Sequence, residues 1–213
     1  VIEAGLAAGM PRLIVVSSLS AREPSLSLYG ESKARAERLV KASGLDWTIV
    51  RPPAIYGPRD KDMFELFRAA KWGLVPVPAQ GAASMLHVED LARLLVALIP
   101  GGELVTHQVF EPDDGKRGGW SHRELAQALG WAVGRRARAL GLSRRTMEWA
   151  AKADRMMRGD RAKLTLDRVG YMQHPDWVVG HGARVPLEIW RPRISTRDGL
   201  KATAQWYRAQ GWM

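Results

Sequence analysis

The sequence has no cysteine among its 213 residues, which excludes disulfide bonds, thiolate nucleophiles and cysteine-ligated metal centres. It also lacks any run of the roughly 18 apolar residues that a membrane-spanning helix needs. The nearest candidate, Leu91 to Pro100, is interrupted by Arg93. No cationic segment precedes an apolar one at the amino terminus, so a secretory signal is not expected. The five histidines have no paired spacing, and no metal site is expected. A chain without cysteine fits a reducing compartment, and the expected location is cytoplasmic. Nor is charge of one sign concentrated. Lys and Arg number 32 against 22 Asp and Glu, a net charge of +10, but the basic residues are scattered among acidic ones. That pattern predicts a solvated arginine-rich face, with no nucleic-acid partner and no membrane partner. Trp120, Trp177, Trp190, Trp206 and Trp212 are expected to pack a small domain rather than stack bases.

What is present is a 46% hydrophobic content, enough for a core, arranged with clear periodicities. Residues 1–8 read as the end of a helix with Gly9 as its C-cap, and Leu13 to Ser17 as a buried strand, short and β-branched. Tyr29 to Lys41 reads as a helix with an apolar stripe of Ala34, Ala36, Leu39 and Val40; Gly44 closes it before a strand at Trp47 to Arg51. Helix, strand, helix, strand predicts parallel pairing, because a parallel crossover needs a connection long enough to return over the sheet face. The expected fold class is α/β: part of a doubly wound, Rossmann-type parallel sheet with a smaller, mainly helical C-terminal substrate-binding region.

Farther along, the pattern predicts a helix near Met63 to Lys71, a proline-broken stretch through Val75 to Pro78, and a helix over Val88 to Ile99 started by His87. A short strand at Gln108 to Glu111 follows. After a Gly-rich loop, Ser121 and Glu124 have capping-box spacing. The domain division is expected there, with 1–115 as the Rossmann-type part and 116–213 as the substrate-binding region. Helices are expected at Thr146 to Met157 and Leu200 to Ala209.

The chemistry concentrates in Leu13 to Lys33, LIVVSSLSAREPSLSLYGESK. Ser17 and Ser18 come at the carboxyl end of a strand, where open parallel sheets form their ligand crevice. Tyr29 and Lys33 are an i, i+4 pair, which places the ammonium beside the phenol on one helix face. A nearby cation favours a phenolate, easing proton exchange with an alcohol or carbonyl oxygen, and a serine hydroxyl can hold the same oxygen.

Ser18 followed by Tyr29-Gly-Glu-Ser-Lys33 resembles the Ser and Tyr-x-x-x-Lys active site of short-chain dehydrogenases/reductases. Trp47 to Pro58, WTIVRPPAIYGP, is similar to the nicotinamide-facing strand and loop of that family's extended and atypical branches, which include the NAD-dependent epimerases and dehydratases. His87 to Leu91, HVEDL, and the tail Gly199 to Trp212 resemble later segments of the same branches. The resemblance implies an NAD(P)-dependent oxidoreductase, epimerase or dehydratase in which Tyr29 is the general acid/base. Lys33 would support Tyr29 and bind the nicotinamide ribose, and Ser18 would polarise the substrate oxygen, with Ser17 the weaker candidate. Arg51, Pro52, Pro53, Ala54 and Ile55 would line the nicotinamide pocket, by backbone more than by the Arg51 side chain.

One part of the family pattern has no counterpart. The phosphate-binding glycines should follow a first strand and open a helix, whereas Gly5 and Gly9 precede a strand and the other glycine clusters fall in late loops. Matched by order, the chain begins in the helix before the serine strand, so the glycine-rich half is expected to be missing. Two readings follow: a larger NAD(P)-dependent enzyme cut short, or a non-catalytic scaffold or binding protein keeping a vestigial site. In either, NAD or NADP is expected to bind weakly or not at all to these residues alone. The partners expected are a small-molecule substrate, with a slight lean to a hydrophobic one, and a second copy in a homo-oligomer, a dimer through an exposed sheet edge or the Tyr29 to Lys41 helix.

Overall fold

A computed structural model describes residues 1–213. In chain order the elements are α1 (Ile2–Ala7), β1 (Leu13–Val16), α2 (Leu28–Lys41), β2 (Trp47–Val50), β3 (Ala54–Tyr56), α3 (Asp62–Lys71), β4 (Leu74–Pro78), β5 (Ala82–Ala83) and β6 (Met85–His87). Then come α4 (Val88–Ala97), β7 (Gln108–Phe110), β8 (Trp120–Ser121), α5 (His122–Val133), β9 (Arg138–Leu142), α6 (Arg144–Arg158), α7 (Leu166–Met172), β10 (Asp176–Trp177) and α8 (Thr196–Ala209).

Strands β1, β2 and β7 form a wholly parallel sheet in that order, in register through Val15, Ile49 and Val109. Because side chains alternate along a strand, its two faces separate cleanly. Leu13, Val15, Trp47, Ile49 and Val109 pack with Ile2 of α1 and Val40 of α2. Ile14, Val50 and Phe110 pack on the other face with Leu91 and Leu94 of α4. Helices on both faces of a parallel sheet make this the doubly wound α/β class that the element order predicts.

The expected buried strand at Leu13 is instead half-buried, with Val16 40% exposed, because β1 is the edge of the sheet and pairs only with β2. The expected stripe on α2 also shifts. Ala36 and Leu39 face solvent, and the buried face is Gly30, Ala34, Glu37 and Val40, spaced by three and four residues as a helix face requires. Val75 to Pro78 is not a broken loop but part of strand β4, which pairs parallel with β9. Its prolines are tolerated because β4 is an edge. Ala79 donates its N–H to Leu142, so the odd-numbered residues face β9 and the nitrogens of Pro76 and Pro78 point away.

The largest core joins residues distant in sequence: Met63 and Phe67 of α3, Val75 of β4, Leu125 and Leu129 of α5, and Leu200 and Tyr207 of α8. Residues 1–115 and 116–213 therefore share one core. A mixed sheet, β10-β5-β8, ties them again beside the crevice. No helix is long and apolar enough to cross a membrane.

Candidate active site

The chain leaves β1 through two serines that turn opposite ways. Ser17 is buried; its N–H donates to the Val50 carbonyl at 2.7 Å and its hydroxyl to Glu37 Oε1 at 2.5 Å. Ser18 caps the tight turn Leu19–Arg22, its Oγ accepting from the Ser20 N–H at 3.2 Å. That bond uses a lone pair and leaves the Ser18 proton free to donate. Leu19 N–H then donates to the Pro52 carbonyl at 3.1 Å, joining the loops that leave β1 and β2.

Helix α2 presents the other two candidate groups. Ser27 is its N-cap, accepting from Gly30 N–H at 2.9 Å, and the Leu28 N–H donates to Asp167 Oδ1 at 2.7 Å. Both are orphan donors that a helix start must satisfy. Tyr29 and Lys33 follow one turn apart, the ammonium 5.7 Å from the ring centroid and donating to the Val16 carbonyl at 3.3 Å. Gly30 lies so close to the serine turn that a Cβ there would stand 2.8 Å from the Ser20 carbonyl oxygen. The helix can approach the serines only because this position has no side chain.

Ser18 and Tyr29 open on a cleft of about 430 Å³. Pro52, Pro53, Ala54 and Ile55 line it beside them, and Met63, Leu66, Met172 and Trp177 supply an apolar wall. Lys33 stands behind Tyr29 without lining the cleft. Ser17 and Arg51 do not line it either. Their side chains are committed to a buried ionic network: Arg51 grips both oxygens of Glu37 and reaches Glu111 Oε1 at 3.4 Å, and Arg22 reaches Glu111 Oε2 at the same distance. A direct side-chain contact from Ser17 or Arg51 to a cofactor is thus replaced by a supporting position beneath the loop. Burial would push the Glu37 carboxyl up, but hydrogen bonds from Arg51 and Ser17 outweigh it and hold the group below its ordinary value.

Several residues in the site carry no motif. Asp60 accepts from the N–H groups of Asp62 and Met63 at the start of α3, and burial pushes its carboxyl up. Arg168 of α7 stands in the cleft wall 3.3 Å from Asp62. Glu37 had no legible signal, because its burial depends on Arg51, which belongs to another element. Arg168 had none, because only the tertiary fold brings α7 across the crevice. His87 is the N-cap of α4, its Nδ1 accepting from the Glu89 N–H at 3.2 Å, and Ser121 with Glu124 completes the expected capping box.

The NAD(P)H-binding family matches residues 1–100. The ceramide reductase of Caulobacter vibrioides is 36% identical over 217 residues, covering 99% of this chain and 66% of that protein. The UDP-glucose 4-epimerase of Vibrio cholerae is 35% identical over 112 residues, covering 47% of this chain and 34% of that protein. The chain therefore spans no more than about two thirds of the length of either relative. Among solved structures, MoeE5 in complex with UDP-glucose and NAD superposes with a TM-score of 0.70 at 24% identity, over 98% of this chain and 69% of that one. The chain belongs to the NAD(P)H-binding family that its first 100 residues match, and its fold is of the Rossmann type.

Proposed function

We propose that this chain carries the proton-transfer and substrate side of an NAD(P)-dependent reductase that acts on the carbonyl of a ceramide-type lipid. The observation that carries the reading is that Ser18 and Tyr29 open on one cleft while the Lys33 ammonium stands behind Tyr29. The similarity to ceramide reductase along nearly the whole chain supports the substrate class, as does the apolar wall of Met63, Leu66, Met172 and Trp177. No observation favours a non-catalytic scaffold.

The donor set fits the nicotinamide end of the cofactor. Lys33 has three ammonium protons and spends one on the Val16 carbonyl, leaving two for ribose hydroxyls. Pro52 and Pro53 remove backbone donors from the adjoining loop, so its remaining polar groups face a carboxamide selectively. Residues 1–213 contain no glycine-rich strand-to-helix turn to seat a pyrophosphate. When bound, the cofactor supplies or takes up a hydride at the substrate carbon. Ser18 donates a hydrogen bond to the substrate oxygen and fixes its place. Tyr29 passes its phenolic proton to that oxygen as negative charge develops there, and Lys33 steadies the resulting phenolate. The apolar wall holds the lipid chain and keeps water from the reacting carbonyl.

The test is cofactor-dependent reduction of a ceramide-type ketone, assayed with NADH and with NADPH. Tyr29→Phe is expected to lower turnover by about 10² to 10⁴, the range of a general acid/base. Unchanged turnover in that variant would refute the assignment.

A further inference from the structure

Helix α6 is amphipathic twice over. Met147 and Ala151 are its buried residues and pack with Val169 of α7. Away from that contact, Thr146, Trp149, Ala150, Ala153, Met156 and Met157 recur at steps of three and four and form a second stripe. Nothing in the fold covers it: Trp149 is 73%, Met156 86% and Met157 82% exposed. Arg145 and Lys152 border the stripe, Lys152 Nζ lying 5.6 Å from the Trp149 ring centroid. Between Ser143 and Lys163 basic residues outnumber acidic ones seven to three. Glu148 and Asp154 pair with Arg144 and Arg158, so Arg145, Lys152 and Arg155 stay outside any ion pair.

We propose that α6 docks on an anionic lipid bilayer, its Trp149 and Met156–Met157 stripe entering the headgroup boundary while Arg145 and Lys152, which border that stripe, meet lipid phosphates. An exposed apolar stripe bordered by unpaired cations is complementary to that surface in both hydrophobicity and charge. Long basic side chains bury their stems and keep the charged ends at the headgroups, and Trp suits the same boundary. This departs from the sequence expectation of no membrane partner, because scattered arginines are gathered on one helix only by its periodicity and by what α6 leaves uncovered. The docking also has a use. Helix α7, on which α6 packs, contributes Arg168, Tyr171 and Met172 to the cleft wall, so docking brings that wall against the membrane from which a ceramide-type substrate enters. That last step rests on the function proposed above; the docking does not.

Flotation of the protein with phosphatidylcholine vesicles, with and without about one third phosphatidylglycerol, tests the proposal. Binding to the anionic vesicles only is expected, falling at least about tenfold in Met156→Glu/Met157→Glu and in Arg145→Glu/Lys152→Glu. These residues are exposed, so circular dichroism should be unchanged. Reduction of a detergent-dispersed ketone should also persist in both variants while reduction of a vesicle-borne one falls. Undiminished flotation of the Met variant, or equal flotation with neutral vesicles, overturns the docking. So does a dimer, seen by light scattering, that the Met variant converts to monomer without any vesicle binding, since the stripe then meets a second copy. Vesicle binding with no ketone reduction upholds the docking and removes only the reading of the cleft.

Discussion

Arg51 grips Glu37 with two prongs, Nε to Oε1 at 2.9 Å and Nη2 to Oε2 at 2.6 Å, beneath the loop that carries Ser18. Glu37 sits on α2 one turn beyond Lys33, and Arg51 follows β2. The pair therefore fixes the helix bearing Tyr29 and Lys33 against the sheet end from which the serines emerge. Ser17 completes the clamp through its bond to the same Glu37 oxygen.

Glu37→Gln should destabilise the protein by roughly 3 kcal/mol at neutral pH, because removing one partner strands a largely buried charge. The folded carboxyl lies below its ordinary value of 4.5, so its contribution is present above about that pH and is lost as pH falls through the folded value. Urea unfolding at pH 7 and pH 3 should show a gap between wild type and variant that narrows in acid. A constant gap would argue against an ionised Glu37.

The two serines should separate by kinetics and stability. Ser18→Ala should lower turnover with little change in unfolding free energy, since Ser18 faces the cleft. Ser17→Ala should cost about 1 to 3 kcal/mol by leaving a Glu37 lone pair unsatisfied and should affect turnover less. The reverse pattern would exchange their roles.

Gly30→Ala would set a methyl 2.8 Å from the Ser20 carbonyl oxygen. Overpacking of that kind costs about 1 to 3 kcal/mol, and here it pushes α2 away from the serine turn. Turnover should fall although Ser18, Tyr29 and Lys33 are all retained. Full activity would mean that their spacing is not critical.

Asp90 is fully buried and accepts from the N–H groups of Arg193 and Ile194 at 3.0 and 2.9 Å. It pins the chain before α8 to the start of α4. Asp90→Asn turns an amide donor toward one of those donors, so a loss of about 2 to 3 kcal/mol is expected in thermal or urea unfolding. The HVEDL segment thus has a mechanical role that its sequence does not disclose.

Tyr29 and Lys33 were legible because a four-residue spacing on a helix is a local geometric fact, as were the helix, strand, helix, strand order and the capping box at Ser121. The displaced stripe on α2 was not, because Glu37 is buried only by virtue of Arg51, fourteen residues away and on another element. Strand β4 is not legible in the sequence because its prolines are tolerable only on an edge, and an edge is a property of the sheet.

The sequence by itself determined the α1, β1, α2 and β2 elements, their parallel order and the one-turn spacing of Tyr29 and Lys33, since all of these follow from short-range spacing and hydrophobic period. The tertiary structure decided which serine faces the cleft, where the charge of Arg51 goes, that α7 forms the far wall, and that the apolar stripe of α6 is left uncovered. Those outcomes depend on contacts between residues far apart in the chain, which no local pattern encodes.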